Sequence, residues 1–232
     1  MDGDIHSKLK QAVADYDMPA VAEQLLKAHP PLILAGITAA GKEAVSKRLE
    51  QISDYRQITT HTTRPPRPGE QDGKDYWFVG ESEMLELLER KAMIEVKVLH
   101  GQQISSSSIA AYQEVLSVGK KPLAEVDVQG TQELIKHLPN ARPIFLLPPS
   151  LEVWLQRLGD RGPMSHIERL RRFASAVNEI EAALDNQRFI LVINNEINQT
   201  AEQIVRKSFN PRQQEESRQL AKLLLENIHK LN

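Results

Sequence analysis

Short apolar runs alternate with longer amphipathic stretches through the middle of the chain, and this alternation predicts the fold. The short runs are typical of strands buried in a parallel sheet, and the amphipathic stretches have helical spacing. Strands that alternate with helices indicate an α/β fold, with a parallel sheet flanked by helices on both faces. The predicted strands are 32–35, 93–99, 122–128, 143–147 and 189–193. The predicted helices of this region are 42–49, 81–91, 109–118, 130–137, 151–158 and 167–186.

Helical patterns at both ends lie outside this alternation. Apolar residues at helical spacing predict one helix over 4–14 and a second over 19–27, which stops before two consecutive prolines. The segment 210–232 predicts a final amphipathic helix. These terminal helices either pack on the domain or on each other, or they form the contact of a homodimer. The predicted organisation is an N-terminal helical extension (1–30), a central domain (31–209) and a C-terminal helix (210–232).

Composition narrows the range of functions. The chain has 232 residues, 41% of them hydrophobic, which is enough for one domain with a buried core. The formal net charge of −2 gives no argument for binding nucleic acid or an anionic membrane, so we expect neither partner. The absence of cysteine excludes disulfides and thiolate metal sites. Since no apolar signal-peptide core and no membrane-spanning run is found, we expect a cytoplasmic protein.

A glycine-bearing turn after the first predicted strand has the pattern of a phosphate-binding loop. Gly36, Gly41 and Lys42 satisfy G-x4-G-K between a strand and a helix. In that context backbone N–H groups and the helix N-terminus bind phosphate, and the lysine reaches the terminal phosphates. Glu43 stands where a Ser or Thr ligand of Mg²⁺ is expected, and Ala39 is costly if its φ is positive. The alternative for this segment alone is an ordinary strand, turn and helix with a chance lysine.

The carboxylate of Glu43 has two opposite interpretations. It is a hard oxygen ligand, so it can hold Mg²⁺ directly or through water. It also places a negative charge beside the nucleotide phosphates, where two like charges at 4 Å repel by about 4 kcal/mol at an effective dielectric near 20. The sequence leaves both interpretations open.

A proline-rich segment supplies a second candidate anion site. Arg64 and Arg67 lie three residues apart, where prolines restrict the backbone and lower the entropy lost on binding. Arginine suits two-point phosphate contacts, and the hydroxyl of Tyr76 can add a donor. The alternative is a solvated loop at the surface.

Several ordered motifs resemble the guanylate kinase family. The segment HTTRPPRPGEQDGKDYWFV at 61–79 is similar to the segment with which that family binds a nucleoside monophosphate. Three further motifs follow at the spacing of the family, apart from about one extra residue in the serine run 105–108. They are AEVDVQG at 124–130, LPPSL at 147–151 and RLGDRG at 157–162.

The resemblance covers about residues 32–208 and implies both a fold and an activity. The fold is of the P-loop kinase type, with a core parallel sheet, a monophosphate-binding lobe (about 60–112) and a small lid (about 155–172). The implied activity transfers the γ-phosphoryl group of ATP to GMP, giving ADP and GDP, with Mg²⁺ bound to ATP.

The resemblance also implies roles for single residues. A carboxylate at Glu95 makes physical sense, because it accepts from both N1–H and the 2-amino group of guanine, which adenine lacks. The GMP site comprises Arg64, Arg67 and Tyr76 for the phosphate, Thr60, Glu95, Ser106 and Ser107 for the base, and Glu125 and Asp127 near the nucleotide. The ATP site comprises Gly36, Ile37, Thr38, Ala39, Ala40, Gly41, Lys42, Glu43, Arg157 and Asn194. The implied catalytic residues are Lys42, Arg64, Arg161 and Arg172, and the candidate metal ligands are Glu43 and Asp127.

Each of these roles has a structural alternative, and three residues depart from the family pattern. The resemblance makes Arg157, Arg161 and Arg172 the arginines of the lid. The structural alternatives are an ordinary strand carboxylate for Glu95, a helix cap for Asp127, a polar turn and N-cap for 105–108, and exposed helix charges for Arg157 and Arg172. Glu43 and Ala39 depart from the family, and Ile104 stands where the family has a tyrosine that donates to the GMP phosphate. These departures keep open a non-catalytic module that binds nucleotide or peptide, and a related kinase with another phosphate acceptor.

Overall fold

The computed structural model of the chain describes residues 2–67, 69–99, 103–160, 162 and 164–231. Its helices are α1 (Asp2–Ala14), α2 (Ala20–Ala28), α3 (Lys42–Ile52), α4 (Glu81–Glu89), α5 (Ile109–Ser117), α6 (Val128–His137), α7 (Leu151–Gly159), α8 (His166–Asp185), α9 (Ile197–Arg206) and α10 (Pro211–His229). Its strands are β1 (Leu32–Gly36), β2 (Tyr55–Gln57), β3 (His61–Thr62), β4 (Trp77–Phe78), β5 (Met93–Leu99), β6 (Gln103–Ser108), β7 (Lys121–Glu125), β8 (Ile144–Leu147) and β9 (Ile190–Ile193). No helix in the described ranges has both the length and the hydropathy that a membrane span requires.

The chain divides into two compact units. The N-terminal extension belongs to the same unit as the lobe around the proline-rich segment, and α10 belongs to the unit with the phosphate-binding loop. The first unit comprises Met1–Pro31, Arg56–Pro122 and Glu133–Pro139. The second comprises Leu32–Tyr55, Leu123–Gln132 and Asn140–Asn232.

The larger sheet places two candidate segments at one edge. Its strand order is β2-β7-β1-β8-β9, and β1 pairs in parallel with both β7 and β8. Because Leu34 pairs with Glu125, the loop after β1 and the acidic segment after β7 leave the sheet at the same edge, where α/β proteins bind ligands. Gly36 ends β1 with φ 147°, and a Cβ on it would lie 2.6 Å from the carbonyl oxygen of Leu146. Glycine is therefore required where β1 passes β8.

The C-terminal helix α10 covers the edge strand of this sheet. Ala221, Leu224 and Ile228 of α10 are buried in the core of the unit. The side-chain amide of Gln214 donates to the carbonyl of Leu191 on β9 at 3.0 Å and accepts from its N–H at 3.1 Å. This pair of bonds resembles one step of a strand ladder, so α10 satisfies backbone groups that an exposed edge strand would leave open.

The smaller sheet has the order β4-β3-β6-β5 and belongs to the first unit. β5 and β3 both pair antiparallel with β6, and β3 pairs in parallel with β4. β5 is an edge strand, and its register shifts between Met93 and Glu95, which marks a β-bulge. The buried apolar cluster of this unit consists of Leu9, Met84, Leu88, Met93 and Ile104.

The predicted elements are confirmed for the most part, with two corrections. The run 93–99 forms β5, but it pairs antiparallel in the smaller sheet and does not join the parallel one. β7 ends at Glu125, three residues before the predicted end, because Asp127 begins the turn into α6. The short strands β2, β3 and β4 and the serine-rich strand β6 were missed, since none of them has a clear apolar period. Helix α9 was also missed, although Ile197, Ala201 and Ile204 stand at helical spacing.

Removing the amide of Gln214 should destabilise the second unit. Gln214→Ala leaves the N–H and the carbonyl of Leu191 without their side-chain partner, which should lower the free energy of unfolding by about 1–3 kcal/mol. Urea denaturation followed by circular dichroism measures the change. Gln219→Ala is the matched control, because Gln219 on the same helix makes only an exposed bond to Glu215. Equal stability of the two variants would contradict the edge-covering role.

Candidate active site

The phosphate-binding loop has the geometry that the motif predicts. Gly41 has φ 93°, and a Cβ on it would lie 2.4 Å from Nδ2 of Asn194, so glycine is required there. Ala39 has φ 61°, which confirms the expected strain of a non-glycine residue in the left-handed region. Nζ of Lys42 donates to the carbonyls of Gly36 and Ile37 at 2.6 and 3.2 Å. The ammonium group therefore lies over the loop, before the first turn of α3.

Two side chains from other parts of the second unit contact this loop. Nδ2 of Asn194, which is 1% exposed, donates to the carbonyl of Ala40 at 2.8 Å. The indole N–H of Trp154 donates to the carbonyl of Thr38 at 2.8 Å, which fixes the loop against α7. Both bonds use loop carbonyls, while the N–H of Ala40 donates within the loop to the carbonyl of Ile37 at 3.1 Å.

Two of the three predicted lid arginines lie beside the loop. The guanidinium of Arg157 is 3.4 Å from the carbonyl of Asn194, and that of Arg172 is 3.5 Å from the hydroxyl of Thr38. Arg172 is also held by Glu168 at 2.6 Å, one turn earlier on α8. Arg161 lies outside the described residues, so its role stays a prediction.

The acidic residues near the loop differ in their fitness as Mg²⁺ ligands. The carboxylate of Glu43 is 67% exposed and pairs with Lys47 at 2.6 Å along the surface of α3. Asp127 accepts from the N–H of Gly130 at 2.7 Å, so it caps α6 and presents carboxylate oxygen at the edge where β7 ends. Glu125 is the last residue of β7. Asp127 and Glu125 therefore fit a hard cation, whereas Glu43 is engaged with a lysine.

Ser46 is a residue of this site that sequence reasoning missed. It lies one turn after Lys42 on α3, is fully buried, and its hydroxyl donates to Oε2 of Glu125 at 3.1 Å. The bond restrains a carboxylate at the edge of the sheet beside the phosphate-binding loop. The signal was a polar residue on the apolar face of a predicted helix, because Val45 and Leu49 on that face are core residues.

In the first unit, Arg64 is held in a fixed position by a two-point ion pair. Its two terminal nitrogens each donate at 2.6 Å to a separate oxygen of Glu70. The guanidinium lies 4.7 Å from the ring centroid of Tyr76 and 5.4 Å from that of Phe78. The side chain of Arg64 is only 9% exposed, whereas Pro65, Pro66 and Arg67 beside it are exposed. The fixed position of Arg64 lowers the entropy lost when a phosphate binds.

The ion pair shifts the pKa of both partners. The hydrogen bonds from Arg64, with a smaller contribution from the N–H of Arg67, lower the pKa of Glu70 to about 2. The same bonds raise the pKa of the Arg64 guanidinium. Arg67 itself is exposed, and its side chain is available at the surface of the lobe. The sequence showed the arginines but not that Glu70 orders one of them.

The predicted base-reading residues meet on β5 and β6. Glu95 is 8% exposed, and its Oε1 accepts from the N–H of Ser107 at 3.0 Å and from the hydroxyl of Ser107 at 2.9 Å. Ser106 donates to the main-chain carbonyl of Glu95. Ser108 caps α5 through a bond from Ala111 N–H, as the turn-and-cap alternative predicts for part of the serine run.

Two further residues complete the description of this lobe. The carbonyl of Thr60 accepts from Trp77 N–H at 2.9 Å, which joins the start of β3 to β4 beside Tyr76. Ile104 is 4% exposed and belongs to the apolar cluster with Leu9 of α1. The residue that replaces the family tyrosine therefore supports the core of the lobe.

The Arg64–Glu70 pair should make stability depend on acid pH. Because the pKa of Glu70 is lowered from 4.5 to about 2, its contribution is complete above about pH 4.5 and is lost as pH falls through about 2. Glu70→Gln should cost about 1.5–3 kcal/mol at pH 7, and the difference from wild type should shrink between pH 4.5 and pH 2. Denaturant titrations across this range test it. Glu86→Gln, which alters an exposed i,i+4 pair, is the control; a pH-independent difference for Glu70→Gln would contradict the assignment.

Comparisons with known proteins bear on this arrangement. A family model described as guanylate kinase matches residues 28–209. A protein named guanylate kinase from Nocardia farcinica is 35% identical over 178 residues, which are 75% of this chain and 90% of that protein. One from Corynebacterium diphtheriae is 38% identical over 153 residues, 65% of this chain and 80% of that protein. The crystal structure of guanylate kinase from Anaplasma phagocytophilum covers 82% of this chain and 92% of its own, with a TM-score of 0.59 and 23% identity, a likeness of fold.

Proposed function

The chain belongs to the guanylate kinase family, and we propose that it transfers the γ-phosphoryl group of ATP to GMP, giving ADP and GDP. Two features of the smaller sheet and its loop favour GMP as the acceptor. Arg64 is held in one orientation beside Tyr76, and the buried carboxylate of Glu95 is held by Ser107. A phosphate and a guanine base need these two groups on one lobe.

On the acceptor side, each residue has a defined task. Arg64 and Arg67 bind the GMP phosphate and keep it in line, with the hydroxyl of Tyr76 as a further donor. Glu95 accepts hydrogen bonds from N1–H and the 2-amino group of guanine, with Thr60 beside it. Adenine offers neither donor in that position, so AMP cannot make the two hydrogen bonds to Glu95 that guanine makes.

On the donor side, the loop and its lysine bind the phosphates of ATP. An oxygen of the GMP phosphate forms a bond to the γ-phosphorus as the bond from phosphorus to the β,γ-bridging oxygen breaks. The electron pair of that bond leaves with ADP. Lys42, Arg157 and Arg172 stabilise the charge on the transferring group, and Arg161 is proposed to join them. The attacking phosphate is already ionised, so no general base is needed.

Mg²⁺ bound with ATP is part of the proposal. In the described residues no group of three or more His, Cys, Asp or Glu side chains is placed to hold a metal ion. Mg²⁺ commonly takes one or two protein carboxylates in addition to nucleotide phosphates and water, and Asp127 with Glu125 provides such ligands. When bound, the ion neutralises charge on the phosphates. We assign the metal to these two residues in preference to Glu43.

We also propose a cytoplasmic location, where ATP and GMP are available.

A homodimer through the terminal helices is a weaker hypothesis, because the buried residues of α1 and α10 pack within the chain. The non-catalytic module has three arguments in its favour: the carboxylate of Glu43, the positive φ of Ala39, and Ile104 in place of the family tyrosine.

A coupled assay of ADP release decides between kinase and module. With ATP and Mg²⁺, the wild-type protein should turn over GMP, and dGMP to a lesser or equal extent, but not AMP or UMP. Glu43→Ser should change the GMP rate by less than about tenfold, because Glu43 faces Lys47 and does not hold the metal. If the wild-type protein has no GMP turnover and Glu43→Ser is active, the non-catalytic module becomes the preferred function.

Removal of Arg64 tests the acceptor site separately. Arg64→Ala should reduce kcat/KM for GMP by at least about a hundredfold, because a hydrogen-bonded charge pair with the phosphate is lost and Glu70 is left unpaired. Arg90→Ala is the control, since Arg90 in the same unit is 74% exposed and should retain full activity. Near-normal GMP turnover by a folded Arg64→Ala variant would rule out this site.

A further inference from the structure

The N-terminal extension is built into the lobe that carries Glu95. Leu9 of α1 is fully buried with Met93 and Ile104, and Tyr16, directly after α1, packs against the same cluster. Residues 1–27 lie outside the segment that the family model matches. This chain therefore brings an additional element into the core of the monophosphate-binding unit.

The hydroxyl of Tyr16 binds the backbone of β5 at one residue. It donates to the carbonyl of Met93 at 2.8 Å and accepts from the N–H of Met93 at 3.1 Å. An edge strand presents such groups outward, and here one hydroxyl satisfies both of them. The residue so held lies at the beginning of the bulge, whose other end is Glu95.

The position of the bulge matters because it sets the direction of the Glu95 side chain. A bulge breaks the alternation of a strand and re-aims the side chains that follow it. Glu95 pairs in register with Ser107, the residue whose N–H and hydroxyl hold its carboxylate. A bulge that moved by one residue would turn the carboxylate away from Ser107.

The ring of Tyr16 is restrained by a cation. The ammonium group of Lys91 lies 4.7 Å from the ring centroid, a cation–π contact. Helix α1, which precedes Tyr16, is in turn held to α4 by burial of Leu9 and by a 2.8 Å contact between His6 and Glu81. Burial also raises the pKa of the Tyr16 hydroxyl, so the group remains protonated and able to donate at neutral pH.

We propose that Tyr16 is a positioning residue for guanine recognition: through Met93 it fixes the β5 bulge and so aims Glu95 at the base of the acceptor. This inference rests on the proposed function, since it concerns the same guanine site. It assigns to the N-terminal extension a part in acceptor affinity, which the family resemblance alone does not include.

The test compares two tyrosine hydroxyls of the same unit. Tyr16→Phe removes both bonds to Met93 and keeps the ring and its contact with Lys91. Tyr112→Phe removes a hydroxyl that donates to the carbonyl of His29 at the end of α2 and makes no bond to Met93. KM for GMP should rise about three- to tenfold in Tyr16→Phe, with kcat and KM for ATP within twofold of wild type. Tyr112→Phe should lower thermal stability and leave KM for GMP unchanged.

Each outcome decides the inference. An unchanged KM for GMP in folded Tyr16→Phe, or an equal rise in both variants, would overturn it and leave only a structural role. If Tyr16→Phe does not fold, Lys91→Gln replaces it in the test, because loss of the ammonium group loosens the Tyr16 ring and leaves its hydroxyl in place. KM for GMP should then rise about twofold. An unchanged KM for GMP in Lys91→Gln would overturn the inference. Absence of GMP turnover in the wild-type protein would instead refute the proposed function.

Discussion

Burial of the Glu95 carboxylate constrains the smaller sheet of the first unit. Among the described residues, Glu95 is the only acidic or basic residue that is buried. A buried charge is tolerated only when hydrogen bonds compensate for the lost water, and Ser107 supplies two of them to one oxygen. The register of β5 on β6 places Glu95 opposite Ser107 and so meets this requirement.

Arg64 is a second charged side chain of the first unit that is largely removed from water. Two hydrogen bonds to Glu70 and contact with two aromatic rings compensate for its lost hydration. The pair keeps the guanidinium in one orientation. If Arg64 binds the acceptor phosphate as proposed, this pre-ordering reduces the entropy lost on binding.

In the second unit, the loop after β1 depends on glycine at two positions. A Cβ on Gly36 would lie 2.6 Å from the carbonyl oxygen of Leu146, and one on Gly41 would lie 2.4 Å from Nδ2 of Asn194. Ala39 occupies a left-handed conformation at some cost, and Glu43 pairs with Lys47 along the helix surface. The loop accommodates these two departures from the usual motif, and Lys42 still lies over it.

Much of the fold and of the candidate site could be predicted from local sequence patterns. Polar strands and contacts between residues far apart in the sequence could not. The loop after β1, the two arginines and the alternation of strands and helices all followed from local patterns. Strand β6 was missed because its buried side chains are serines, which have no apolar period. Glu70 stood in a quoted motif, but only the turn geometry shows that it meets Arg64. The contact of Tyr16 with Met93 spans 77 residues, a distance that no local pattern encodes.

Calorimetric titration of GMP and AMP into the wild-type protein, without ATP, tests the central claim most directly. The claim is that the first unit alone selects guanine, through the buried carboxylate of Glu95. GMP should bind at least about tenfold more tightly than AMP, since AMP lacks the two donors that guanine offers to that carboxylate, and a hydrogen bond to a charged group is worth about 1.5–3 kcal/mol. Equal affinity for the two nucleotides would contradict the claim and would make Glu95 an ordinary strand carboxylate.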